Sequence, residues 1–124
     1  MATGASLVVP GPWARHAVDQ HRGEPVGVLI TLTAEFDHYR WGPVSASPSL
    51  LGGDGGFPRT VVDFWDHADL DEARRECRIQ IERAILWGFD VTHLASRAGA
   101  LTHRPEFFDL LTELCLEFSL PVRL

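Results

Sequence analysis

Val26-Gly27-Val28-Leu29-Ile30-Thr31-Leu32 is a nearly unbroken apolar run, and it constrains the chain more than any other segment. A strand with one wet face alternates apolar and polar residues. A continuous run asks for cover on both faces, which parallel strands with crossover helices supply. Upstream, Ser6-Leu7-Val8-Val9 is a second short apolar run, stopped by Pro10-Gly11-Pro12, and reads as a strand followed by a turn. Pro12 suits the first turn of a helix, predicted from about Trp13 to Gln20 and ending near Gly23.

Asp69 opens a clearer helix, with Glu72 placed to complete a capping box. Leu70, Ala73, Cys77, Ile81, Ala84 and Ile85 recur at helical spacing as one buried stripe, and Arg74, Arg75, Arg78 and Glu82 take the other side. Gly88 stands where a left-handed residue ends a helix. Val91-Thr92-His93-Leu94 then reads as a strand, with Ala95-Ser96-Arg97 where it opens into a loop. Pro105 starts the last helix, whose stripe is Phe107, Phe108, Leu111, Leu114, Cys115 and Phe118, and Pro121 to Leu124 begins a further strand.

Between them, residues 33–67 are irregular and rich in Gly, Pro, Ser and aromatics, a length that in a compact domain points to function. The order is β-α-β-loop-α-β-α-β. It predicts an α/β fold of four mainly parallel strands and three helices in one domain, residues 1–124. "GGDGG" at 52–56 lacks the ending of a phosphate loop and reads as a hairpin turn.

The net charge of −6 argues against nucleic acid or an anionic membrane as partner. No run is long enough to span a membrane. Cys77 and Cys115 fall on apolar helix faces, so packing by reduced thiols is expected, as in the cytoplasm. The six histidines show no His-x-x-x-His pair and no Cys-x-x-Cys companion, so a metal site is not expected from spacing.

"TGASLVVPGPWARHAV", "VGVLITLTAEFDHYRWGP", "FPRTVVDFW" and "DVTHLASRAGALTHRPEFFDLL" together resemble the YdjC-like carbohydrate deacetylases, the ChbG/HpnK group. The resemblance covers nearly the whole chain in order. It implies about half of an irregular TIM-like barrel, and a reaction that removes acetyl groups from N-acetylated sugars with a divalent metal such as zinc or magnesium. It also implies that Ser6 to Val9 matches the family's second strand, so the Asp-rich NADDFG-like motif of the first strand is expected to lie upstream. The His of the family's GVHLTL-like strand matches Leu29. In its HLDSH-like stretch the Asp matches Ala95 and the second His matches Arg97, while His93 and Ser96 are kept. A catalytic metal needs about three protein donors and an open position. Loss of these donors implies no bound cofactor and no deacetylation, whether drift or engineering removed them.

Glu35, His38, Arg40, Trp41 and Ser96 are the candidate substrate-binding residues, since hydrogen-bonding groups beside a flat apolar ring suit a sugar. His93 and Arg97 are the candidate catalytic groups. A structural imidazole at His93, an ion pair of Arg97 with Glu35 or Asp37, and a purely anchoring role for Phe36, Tyr39 and Trp41 are the plainer alternatives. Three functions follow: an inactive, self-associating deacetylase fragment; a repurposed hydrolase with a new pocket at the strand ends; or a non-catalytic sugar-binding module. Half a barrel exposes strand edges and an apolar face, so a homodimer or higher oligomer is expected.

Overall fold

In the computed structural model, the residues described are 6–10, 25–34, 41–45, 47–52 and 56–122. The helix expected from Trp13 to Gln20 lies outside them. Three strands form one parallel sheet in the order β1 (Ser6–Leu7), β2 (Pro25–Ile30), β3 (Asp90–Ser96). Of the expected fourth strand, Pro121 to Leu124, the described residues show a parallel bridge between Val122 and Leu94, beside the Leu94 N–H to Pro121 carbonyl bond of 2.9 Å; Arg123 and Leu124 lie outside the described residues.

Three helices lie among the described residues: α1 (Val61–His67), α2 (Leu70–Leu86) and α3 (Pro105–Phe118). Helix α1 corrects the expectation that residues 33–67 are irregular throughout. Its cap was readable, because the Thr60 side chain accepts from the Asp63 N–H at 3.1 Å. The β-branched and aromatic content of "VVDFW" obscured it. A 3-10 turn at Pro48–Leu50 adds further order, and the Gly52 N–H donates to the Gly56 carbonyl at 2.6 Å; the residues between them, 53–55, lie outside the described residues.

Helix α2 begins where predicted, with the Asp69 carboxylate accepting from the Glu72 N–H at 3.0 Å. The reciprocal half of the capping box does not form. Glu72 instead accepts from the Ser49 N–H at 2.8 Å, and the Asp69 N–H donates to Ser49 Oγ at 2.8 Å. Ala73, Cys77, Ile81 and Ala84 are fully buried, but Ile85 is exposed, as is Phe108 on α3, where Leu110 takes the inward place. Both errors sit at the margin of an apolar stripe, where one residue is 100° of helix rotation. Arg74 and Arg78 reach across to Glu113 and Glu117 of α3 at 3.1 and 2.8 Å. Arg78 holds the Glu117 carboxylate below its ordinary range through that hydrogen bond. Gly88 takes the left-handed conformation expected of it, with φ 95°.

Residues paired across parallel strands share a face. Val28 with Leu94 and Ile30 with Ser96 form one face, and Gly27 with His93 and Leu29 with Ala95 form the other. Val28, Ile30 and Leu94 are wholly inaccessible, whereas Leu29 and Ala95 are half-buried. Each fully buried Leu or Ile is worth about 1.5–3 kcal/mol of removed apolar surface. Phe64 of α1 and Phe107 of α3 join the same core, ring centroids 5.1 Å apart. No helix among the described residues is long and apolar enough to cross a membrane.

Candidate functional site

Strands β2 and β3 end side by side, and register puts Leu29 directly beside Ala95 on the less covered face. The two positions that the family resemblance equates with a His and an Asp are therefore cross-strand neighbours. Arg97 follows at once in a 3-10 turn, Arg97–Gly99. Ser96, a candidate for substrate contact, has its hydroxyl accepting from the Leu101 N–H at 2.9 Å, which fixes the same turn.

Trp41 links the two strand ends. Its indole N–H donates to the Thr33 carbonyl at 3.0 Å, beyond β2. Its ring centroid lies 5.6 Å from the Arg97 guanidinium carbon, beyond β3, a cation–π distance. Its own carbonyl accepts from the Phe57 N–H at 2.9 Å. Only 5% of Trp41 is exposed, and its ring packs with the buried core. Glu35, His38 and Arg40, and with them any pairing of Arg97 to Glu35 or Asp37, lie outside the described residues.

His93 is buried, its ring against the backbone of Gly27, where any Cβ would collide with it. The close fit follows from a bulge: Val26 pairs with Val91 and Gly27 with His93, leaving Thr92 as the extra residue. The Thr92 hydroxyl donates to the Val26 carbonyl at 3.3 Å and lies 3.0 Å from His93 Nδ1.

These side chains do not fit a divalent cation. Leu29 and Ala95 present hydrocarbon and Arg97 a fixed positive charge, where oxygen or nitrogen donors are needed. Among the described residues, no three His, Cys, Asp or Glu side chains converge.

Sequence reasoning missed the polar residues that organise this end of the sheet. Gln80 and Glu76, both fully buried on α2, occupy helical positions within its apolar stripe, a signal that could have found them. Gln80 Nε2 donates to the Thr31 carbonyl and to Glu76 Oε2, each at 2.9 Å, and Gln80 Oε1 accepts from the Thr31 N–H at 3.0 Å. The loop after β3 is held in turn by Trp65. Its indole donates to the Ala100 carbonyl at 2.9 Å, and its ring lies 4.6 Å from the Arg104 guanidinium. Cys77 and Cys115 are free thiols, as expected. Burial, with Glu76 adjacent, pushes the Cys77 thiol far up.

Known proteins resemble the chain in sequence and in fold. A carbohydrate deacetylase of Thermus thermophilus is 33% identical over 93% of this chain, and one of Thermoanaerobacter pseudethanolicus 35% over 95%. A carbohydrate deacetylase of Brevibacillus brevis is 32% identical over 99%. The chain spans 41%, 47% and 48% of those three proteins, under half of each. A crystal structure from Enterococcus faecalis, of a protein described as cleaving cellobiose-phosphate, superposes with a TM-score of 0.78. It covers 98% of this chain and 48% of its own at 21% identity, a likeness of fold. Residues 1–124 match the YdjC-like protein family from end to end, and the chain belongs to that family.

Proposed function

We propose that this chain forms about half of an irregular α/β barrel of the carbohydrate deacetylase type, and that the chain by itself removes no acetyl groups. One observation carries the reading: Leu29 and Ala95 stand side by side at the strand ends with Arg97 just beyond. In a deacetylase of this family those positions are where donors for a divalent ion are implied. Hydrocarbon there neither coordinates the ion nor accepts a proton from water, and a guanidinium repels the cation.

The names of the relatives support the class of ancestral substrate, an acetylated carbohydrate. The test is acetate release from N-acetylated chitooligosaccharides with zinc or magnesium added. No release above the buffer blank is expected. Release that a chelator abolishes overturns the proposal.

The same reading includes self-association. Leu86 and Leu116 stand 81% and 77% exposed at helix surfaces, and a second copy would supply both apolar cover and further strands. Sedimentation should find a dimer or larger; a stable monomer at micromolar concentration overturns this part.

A further inference from the structure

Residues 41–45 and 47–50 follow directly on the Trp41 contacts; Glu72 of α2 accepts from the Ser49 N–H, and Glu76 holds the part nearer Trp41. The Glu76 carboxylate accepts from the Val44 N–H at 3.1 Å, the Ser45 N–H at 2.9 Å, the Ser45 hydroxyl at 2.6 Å and Gln80 Nε2 at 2.9 Å. Because the Ser45 hydrogen goes to Glu76, Ser47 Oγ is the donor in its 2.6 Å contact with Ser45 Oγ. A carboxylate has about four acceptor sites, and all four are filled by neutral donors. Both Glu76 and Ser47 are buried, where an unfilled site or an orphaned N–H would be costly.

We infer that Glu76 is a positioning residue for the rim of the strand ends: its carboxylate holds Val44 and Ser45, and so residues 41–45, in the conformation that seats Trp41 against Arg97. Only an acceptor at both oxygens suits the donors that converge there. Gln80 divides one amide nitrogen between Glu76 and the Thr31 carbonyl. A single turn of α2 thereby fixes the segment and the end of β2 together, and Trp41 bridges the same two parts through Thr33. Loosening the carboxylate end frees the segment while leaving the β2–β3 ladder intact.

The experiment is hydrogen exchange by NMR on the full chain and its Glu76→Gln variant. The variant keeps shape but turns one acceptor into a donor facing donors. Exchange of the Trp41 indole N–H and the Ser45 amide should accelerate about tenfold or more, with the Val28 and Leu94 amides unchanged. Unchanged exchange at Trp41 overturns the inference, and so does equal acceleration at all four sites, which would mark Glu76 as a general stability element. Should Glu76→Gln fail to fold, Ser45→Ala carries the test, since it removes one donor and keeps the carboxylate. It also takes from Ser47 its acceptor, and should accelerate the Trp41 indole by a few-fold with the Val28 and Leu94 amides unchanged; no change at Trp41 overturns the inference equally.

Discussion

The side-chain amide of Gln80 bonds both backbone groups of Thr31, its oxygen accepting from the N–H at 3.0 Å and its nitrogen donating to the carbonyl at 2.9 Å. Strand β2 ends at Ile30, so the Thr31 peptide lies beyond the strand, yet the residue is wholly buried. A helix side chain thus takes the place of the next strand. Gln80→Leu, similar in volume, would leave both peptide groups and one Glu76 acceptor site without a partner. Urea denaturation should show a loss of about 2–4 kcal/mol. Gln80→Glu should be worse, because it sets a second buried carboxylate beside Glu76. A Leu variant as stable as the parent would mean that water reaches the Thr31 peptide.

Gly27 and His93 fit each other across the β2–β3 ladder. Gly27→Ala places a methyl group inside the volume of the imidazole, so the ring must leave its position over the strand, at a cost of about 1–3 kcal/mol. His93→Ala makes room for that methyl. The double variant should therefore be more stable than the sum of the single losses predicts, by about 1 kcal/mol or more in a double-mutant cycle. Additive losses would show that the ring escapes without penalty.

Cys77 should resist alkylation in the native chain while Cys115 reacts first, since Cys77 is fully buried and Cys115 only partly so. Burial raises the folded thiol's pKa above that of the unfolded chain. The native state thus holds its proton more tightly, and stability is full below the unfolded thiol range. It falls as pH rises past about 8.5, by up to about 1.4 kcal/mol per unit. Denaturation in a Cys115→Ala background should show this slope, and adding Cys77→Ala should remove it. A slope that survives both changes belongs to other groups.

The buried sheet was legible because Val26 to Leu32 admits little else, and α2 because Asp69, Glu72 and Gly88 mark its ends. The bridge at Val122 carried less signal, since it lies close after a helix and offers few residues in which an alternating pattern could show. The contact of the Trp41 ring with Arg97 was not legible, because the two residues are far apart in sequence and meet only where the strand ends converge. Glu76 and Gln80 stayed hidden because a polar residue on a helix stripe reveals its use only through the loop it meets. That loop is distant in sequence, 31 and 32 residues away for the Ser45 and Val44 amides.

Leu29, Ala95 and Arg97 also allow a constructive test. Leu29→His and Ala95→Asp together set an imidazole and a carboxylate on paired positions of adjacent strands, and Arg97→His replaces the cation with a third donor. After gel filtration the triple variant should retain about one zinc per chain, which fits a three-donor site with an open position. The Leu29→His, Ala95→Asp pair with Arg97 kept should retain far less, because the guanidinium stays at the end of β3 and repels the ion. Retention should fall below about pH 6, as the imidazoles take up protons in place of metal. If the parent chain holds zinc as firmly as the triple variant, the ion is bound elsewhere, and the strand ends have been given the wrong history.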